Sequence, residues 1–187
     1  MMSAQLEPRR FNVTEYYQMA AAGILTSDER VELIEGEVIK MSAIGSPHAA
    51  CVSRLVRMFL SNLGNQATIW PQNPVRLNEF SEPVPDIAVL KSRSDDYSTR
   101  HPLPEDVLLL IEVADTSLLK DRDLKIPLYA RSGIKEVWLV NLTEEVIEVY
   151  SALENEQYKE CVEFIRGDAI KLAIQEEYAF TVDEILG

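Results

Sequence analysis

The sequence predicts a mixed α/β fold, with a central mixed β-sheet flanked by helices in a single domain that spans residues 1–187. Two observations predict this fold. Two buried strands lie on either side of a helix in the sequence, and a C-terminal segment alternates between apolar and polar residues. The two strands, at about 106–114 and 136–140, are largely apolar without alternation, as expected of strands covered on both faces. The helix between them, at about 119–132, indicates a crossover and therefore a parallel pair. The segment 146–174 alternates like an antiparallel hairpin or meander.

The other elements are predicted from cap residues and turn signals. They are, in chain order, a helix at about 14–22 with Thr14 as its N-cap, an N-terminal hairpin at 31–41 around Glu35-Gly36, an amphipathic helix from Ser46 to Gly64, strands at about 67–77 and 85–90, and a short last helix after the Thr181 capping box. In the long helix Ser46 is expected to be the cap, with proline at the first helical position. The hairpin glutamates Glu32, Glu35 and Glu37 are expected on its solvent-exposed face.

The composition excludes a membrane-spanning protein. No apolar run approaches the roughly 18–20 residues that cross a bilayer, and the N-terminal arginines are not followed by the apolar stretch of a secretory signal. We therefore expect a cytoplasmic protein without a membrane partner. Cys51 and Cys161 form no CxxC pair, and two buried free thiols are expected rather than a disulfide.

The formal net charge of −13 argues against strong, sequence-independent binding of DNA. Proteins that hold duplex DNA tightly usually present a basic surface to its phosphates. The acidity is uneven, however, because residues 91–135 contain eight basic and eight acidic residues, whereas residues 141–187 contain twelve acidic and three basic ones. The negative charge is therefore concentrated in the C-terminal part.

Asp86 and Glu112 are predicted to face each other across two antiparallel strands. If Leu90 pairs with Leu108, Asp86 lies directly opposite Glu112, with β-carbons about 4.5–5.5 Å apart. Two carboxylates this close repel each other unless a cation lies between them, and a hard ion such as Mg²⁺ binds such a pair together with water and phosphate oxygens. The pair is therefore a candidate metal site. The alternative is that Glu112 only marks where its strand reaches solvent.

Lys125 is the candidate for a catalytic cation. Glu112 interrupts an apolar run, and a buried carboxylate needs a partner or a metal to offset its desolvation. Lys125 lies in the first half of the next helix, from which it could reach the carboxylates and neutralise charge on a phosphoryl oxygen or orient a water molecule. The alternative is a solvated helix charge. Asp121 and Tyr129, one turn before and after it, are expected to be a helix-terminal charge and a core-packing residue.

Several segments resemble one known family. They are ELIEGE (32–37), His48 at the start of the long helix, Pro85-Asp86, and IEVADTSLLKDRDLKIPLYARSGIKEVWLV (111–140). The last segment is the specific part, since it contains D-x-x-x-K-x-x-x-Y (121–129) and G-I-x-E-x-W (133–138). Together they resemble the Uma-type family of "putative restriction endonucleases" that is abundant in cyanobacteria, which is similar to the PD-(D/E)XK nuclease superfamily. The resemblance runs over roughly residues 10–150.

The resemblance implies a restriction-endonuclease-like core that binds Mg²⁺ or Mn²⁺. Asp86, Glu112 and the backbone carbonyl of Val113 would be the ligands. In the superfamily the lysine usually stands two residues after the glutamate, where this sequence has Ala114. In this family the resemblance places the lysine on the following helix, which here is Lys125.

Two further positions match the family. Glu37 is a candidate outer metal ligand, with Glu32 as its competitor. His48 is a candidate contact to a phosphate or to a metal-bound water, although a histidine that only completes the start of its helix is an equal alternative.

The predicted function is that of a metal-dependent endonuclease that hydrolyses DNA phosphodiester bonds with two carboxylates and a lysine. DNA is then the expected partner, and a homodimer is neither required nor excluded. The main alternative is a catalytically silent, acidic interaction module that keeps the nuclease fold, which the net charge and Ala114 favour. A glycosidase is a third reading, but the sequence places no aromatic residue near the pair except Trp70.

Overall fold

In the part of the chain that the structure describes, the fold is built around a six-stranded sheet, with two short hairpins and five α-helical segments attached to it. The computed structural model of the protein describes residues 8–26, 28–173 and 175–187, so Met1–Glu7 and positions 27 and 174 of the predicted domain lie outside the described residues. The strands are β1 (Val31–Ile34), β2 (Glu37–Lys40), β3 (Ala67–Pro71), β4 (Ile87–Lys91), β5 (Val107–Ala114), β6 (Val137–Asn141), β7 (Val146–Glu154), β8 (Gln157–Phe164), β9 (Ala169–Leu172) and β10 (Gln175–Thr181). The α-helical segments are α1 (Val13–Ala21), α2 (Ser46–Leu63), α3 (Leu118–Lys120), α4 (Ile126–Arg131) and α5 (Val182–Leu186).

The central sheet has the strand order β3-β4-β5-β6-β7-β8. β5 and β6 are parallel, as the helix between two apolar strands predicts, and the other neighbouring pairs are antiparallel. β7 and β8 form an antiparallel hairpin, one of the two arrangements predicted for 146–174, whereas β9 pairs with β10 in a separate hairpin and does not continue a meander. The predicted mixed α/β class is therefore confirmed.

Two apolar cores lie on opposite faces of this sheet. On one face α2 and α5 cover the sheet, with Phe59, Trp138 and Phe180 in mutual ring contact. On the other face α4 and the β1–β2 hairpin cover it. Among the described residues no helix is long and apolar enough to cross a membrane.

Helix starts differ by one or two residues from the predicted caps. Asn12, not Thr14, caps α1, because its side chain accepts the Glu15 amide while Glu15 accepts the Asn12 amide in a capping box. The N-cap of α2 is Gly45, and Ser46 is already helical. The capping box of Thr181 with Glu184 begins α5 as predicted.

The helix expected at 119–132 is interrupted by a π-helical turn, Asp121–Lys125, between α3 and α4. The amide of Ile126 donates to the carbonyl of Asp121, five residues earlier. Pro127 gives the physical reason, since proline has no amide to donate and its ring clashes with the carbonyl four residues before it in a regular α-helix. The wider turn accommodates the proline without ending the helix.

The register of β4 on β5 agrees with the prediction at one end and not at the other. Ile87 pairs with Ile111, as the predicted register requires, but Leu90 pairs with Val107 and not with Leu108, because a bulge follows Val89. β3 ends at Pro71 rather than near position 77, and β4 begins at Ile87 rather than at 85. The first pair of the β4–β5 ladder is therefore Ile87 with Ile111, and Asp86 lies immediately before β4.

Two side-chain predictions need correction. Glu32 is fully buried and does not lie on the exposed face of the hairpin, because Lys120 and the Val84 amide donate to its carboxylate. Both cysteines are free, as expected, but only Cys51 is buried, whereas Cys161 is exposed on β8.

Candidate active site

Asp86 and Glu112 line the same cleft from neighbouring parts of the sheet. Ala88 pairs with Leu110 on the face covered by α4, and Glu112, two positions after Leu110, projects on that face, whereas Asp86 immediately precedes β4. Both line a cleft of about 50 Å³ at the end of β5, which is enough for a few water molecules. The two carboxylates therefore share one cleft, but the β4–β5 ladder begins at Ile87 and Ile111 and does not include the predicted pair of Asp86 with Glu112.

Glu112 is held by donors from the helical segment that follows its strand. The Nζ atom of Lys125 lies 3.1 and 3.2 Å from the two carboxylate oxygens, and the Tyr129 hydroxyl donates to Oε1. All three side chains are at least 97 % buried. Burial raises the pKa of Glu112, and the charges of Asp121 and Asp86 add to that rise, while Lys125 opposes it.

Asp86 is held in place by three donors. Its Oδ2 accepts the amide of Val113 at 2.8 Å, and its Oδ1 accepts from Nε2 of His48 at 2.8 Å and from Gln72 at 3.4 Å. The hydrogen bond to Asp86 raises the pKa of His48, against the effect of its partial burial. The first turn of α2, the end of β5 and the residue after β3 thus fix the orientation of Asp86 together.

Glu32 completes the cluster from the open end of the β1–β2 hairpin. Its carboxylate lies 2.5 Å from Nζ of Lys120 and 3.3 Å from Nζ of Lys125, and it accepts the Val84 amide at 3.1 Å. Burial disfavours the ionised form, but the two ammonium groups and the amide outweigh it and lower the pKa of Glu32. Glu32 is therefore an ionised member of the site.

Lys125 is surrounded by negative charge. Besides Glu112 and Glu32, Asp121 lies 3.9 Å away, with the Ser117 hydroxyl 2.5 Å from the other oxygen of that aspartate. Burial alone would lower the pKa of Lys125, but the neighbouring carboxylates reverse the effect and raise it. The lysine is therefore charged at neutral pH.

The cleft as a whole carries an excess of negative charge. Its acidic lining residues are Glu32, Asp86, Glu112, Asp115 and Asp121, and its basic ones are Arg30, Lys120 and Lys125. With every group in its ordinary ionised form the balance is −2. Such a site attracts a cation more readily than it attracts a bare phosphate.

The sequence matches the profile of the family Uma2, described as "Putative restriction endonuclease", over residues 13–183. The chain belongs to this family. Among the curated proteins with which the sequence was compared, none matches it.

The fold of this Uma2 protein also resembles solved structures. A "putative nuclease belonging to DUF820" from Anabaena variabilis ATCC 29413 superposes with a TM-score of 0.73 at 16 % identity, over 94 % of this chain and 97 % of the other. The type IIG restriction endonuclease BpuSI superposes with a TM-score of 0.44 at 17 % identity, over 78 % of this chain and 16 % of the other, and this similarity is too low to support an argument. The first likeness supports the fold alone.

The cleft of the Uma2 protein contains most of the residues predicted from the sequence, but not all of them. Asp86, Glu112, Lys125 and His48 all line it. Glu37 does not, because it pairs with Ile34 beside the hairpin turn, where its side chain is exposed. Its competitor Glu32, two positions nearer the open end of the hairpin, reaches the cleft instead.

Sequence reasoning missed a polar stripe on the following helix. Asp121 is buried in the cluster and is not a helix-terminal charge, and Tyr129 donates to Glu112 in addition to packing in the core. Ser117, Asp121, Lys125 and Tyr129 recur every four residues, which was a readable signal for one polar face. Lys120 breaks that period, so it could not be found in the same way.

The described residues contain no group of three or more His, Cys, Asp or Glu side chains that is arranged to hold a metal. The predicted ligand set needs only two such side chains, because its third member is the backbone carbonyl of Val113. Each carboxylate oxygen has two lone pairs, so the present hydrogen bonds leave acceptor capacity on Asp86 and Glu112. One or two carboxylates with carbonyl and water oxygens are an ordinary set for Mg²⁺, so the two carboxylates fit a divalent ion, although Val113 is not among the residues that line the cleft.

Proposed function

We propose that this protein is a divalent-metal-dependent endonuclease that hydrolyses phosphodiester bonds in DNA. The observation that supports the proposal most strongly is the convergence of Asp86, Glu112 and Lys125 in one cleft at the end of β5. Membership of a family described as putative restriction endonucleases agrees with it. The cytoplasm as its location, and DNA as its partner, belong to the same proposal.

Asp86, Glu112 and the Val113 carbonyl would hold the metal, either Mg²⁺ or Mn²⁺. When bound, a divalent ion supplies Lewis-acid polarisation of a phosphate oxygen and offsets the negative charge of the cleft. His48 and the Val113 amide keep the Asp86 carboxylate in a fixed orientation, so little reorganisation is needed when a ligand arrives.

Lys125 would act as an electrostatic stabiliser and not as a base. Its raised pKa keeps it protonated at neutral pH, so it has no lone pair with which to accept a proton. Its ammonium group is held by Glu112 and Glu32, and from that position it would stabilise the charge that develops on the phosphoryl oxygens during attack by water. Cleavage of the P–O3′ bond would leave a 5′-phosphate and a 3′-hydroxyl.

The test is cleavage of single-stranded, duplex and branched DNA in the presence of Mg²⁺ or Mn²⁺. Asp86→Asn removes one carboxylate charge from the cleft, and Asp123→Asn is a matched control because Asp123 is exposed on the π-helical turn. We expect the wild type and Asp123→Asn to cleave equally, and Asp86→Asn to lose at least about 100-fold, as for loss of one preorganised electrostatic group. Equal trace activity in the wild type and Asp86→Asn would show that the activity comes from a contaminant.

A catalytically silent interaction module is the second candidate, and one observation favours it. Lys125 and Tyr129 already donate to Glu112, so both of its carboxylate oxygens have a partner without a metal. Thermal unfolding with and without millimolar Mg²⁺ or Mn²⁺ separates the two functions. A metal at 100 times its Kd adds about 2.7 kcal/mol of stability, whereas a silent module shows no shift.

A further inference from the structure

Three basic side chains line the cleft, and two of them are engaged by carboxylates. Lys125 contacts Glu112 and Glu32 at 3.1 and 3.3 Å, and Lys120 contacts Glu32 at 2.5 Å. Moving either ammonium group to a substrate would take a charged partner away from a buried carboxylate, which is costly. A substrate anion therefore needs a different cation for its first contact.

Arg30 is the third basic side chain, and it differs from the two lysines. It precedes β1 at the open end of the hairpin, it is exposed, and within the described part of the chain it forms no ion pair. Its guanidinium makes one long contact of 3.4 Å to the carbonyl of Ser42. The backbone of Arg30 is anchored separately, because its carbonyl accepts the Met41 amide at 2.9 Å, so the side chain can move without disturbing the hairpin.

The position of Arg30 places its charge near the proposed metal ligands. The side chain lines the same cleft as His48 and Asp86. Arginine also suits the task chemically, since its planar fork donates two parallel hydrogen bonds to a phosphate and its charge is permanent.

We propose that Arg30 binds a backbone phosphate of the nucleic acid at the mouth of the cleft. The inference rests on the proposed nuclease function and adds a substrate-binding residue to it. Arg30 neutralises a phosphate that does not coordinate the metal, and so holds the polyanion beside a cleft whose own balance is negative. The contact is to the sugar–phosphate backbone, so it carries no preference for base sequence.

The experiment is steady-state cleavage of a fluorescent duplex with Mg²⁺ at several NaCl concentrations. The variants are Arg30→Gln, Arg30→Lys and a matched control, Arg57→Gln. Arg57 is exposed on α2, nine residues beyond His48, which is about 14 Å along the helix. Circular dichroism and the Mg²⁺-induced change in Tm verify that each variant folds and responds to metal as the wild type does.

We expect Arg30→Gln to lower kcat/KM by about 10- to 100-fold, mainly through KM, as for loss of a charged hydrogen bond. The dependence of log kcat/KM on log salt concentration should become shallower by about 0.9, the value for one phosphate contact. Arg30→Lys should keep the salt dependence and recover part of the KM, and Arg57→Gln should match the wild type.

Three results would overturn the proposal, and they are distinguishable. If the wild type cleaves DNA and Arg30→Gln matches Arg57→Gln, Arg30 binds no phosphate, although the nuclease function stands. If Arg30→Gln lowers kcat but leaves KM and the salt dependence unchanged, its role is not phosphate binding. A wild type that neither cleaves DNA nor responds to Mg²⁺ removes the nuclease function and this inference together.

Discussion

Replacing Lys125 by methionine removes a buried ammonium group while keeping a side chain of similar length. In the wild type Nζ lies 3.1 and 3.2 Å from the Glu112 oxygens, 3.3 Å from Glu32 and 3.9 Å from Asp121. Removing one partner of a buried ion pair costs about 3–5 kcal/mol, because the remaining charge is left uncompensated. That loss is a large part of the 5–15 kcal/mol by which domains are ordinarily stable.

The stability lost in Lys125→Met should also depend on pH. A carboxyl group whose pKa is raised in the folded state binds more protons folded than unfolded, so its stabilising contribution is lost as pH rises through the folded pKa. For Glu112 that window runs from its ordinary value of 4.5 to about 8. Lys125 opposes the rise in the pKa of Glu112, so this pKa increases further when Lys125 is removed. The loss in free energy of unfolding of Lys125→Met, relative to the wild type, should therefore be larger at pH 8 than at pH 5.

Urea unfolding at pH 5 and pH 8 measures this difference. Lys171→Met is the control, since Lys171 is exposed on β9 and a surface change usually stays within about 0.5 kcal/mol. A deficit for Lys125→Met that equals the control, or one that is the same at both pH values, would refute the reasoning about the buried cluster.

Three further outcomes are expected. Tyr129→Phe removes a donor to Glu112 and should lower the free energy of unfolding by about 1–2 kcal/mol, measured by urea unfolding, and a neutral result would contradict the hydrogen bond. Cys161 should react with an aromatic disulfide reagent in the folded protein, whereas Cys51, whose pKa burial raises to about 11, should react only in denaturant; two rapidly reacting thiols in the folded state would contradict this. Asn12→Ala removes the side chain that caps α1 and should lower the free energy of unfolding by about 1 kcal/mol, measured by urea unfolding. An unchanged free energy of unfolding would contradict this capping box.

The central part of the site could be predicted because its residues violate local patterns. Glu112 interrupts an apolar strand, and Lys125 follows it on a helix that must return across the same face of the sheet. Glu32 could not be assigned in the same way, because on a hairpin it resembles any exposed glutamate. The burial of Glu32 depends on how the β1–β2 hairpin packs against the rest of the fold, for example through the bridge between Leu33 and Glu82. The periodicity of the local sequence does not indicate that packing.

The fold was predictable in its elements and less so in its details. Long apolar strands and the amphipathic α2 have clear periods, so their existence and approximate bounds follow from the sequence. The bulge after Val89 and the early end of β3 at Pro71 depend on contacts between strands and on the positive φ of Gln72. Such features are set by tertiary structure, so a register derived by counting residues holds only up to the first bulge.

The π-helical turn before Pro127 has a consequence for comparing family members. A π turn holds about one residue more than an α-helical turn, so it is equivalent to a single-residue insertion within an otherwise continuous helix. A relative without the proline could wind the same helix with one residue fewer and still present a lysine to its strand glutamate. A motif search that fixes the glutamate–lysine spacing at thirteen residues would overlook that relative, whereas an alignment that permits a one-residue gap within positions 121–125 would find it.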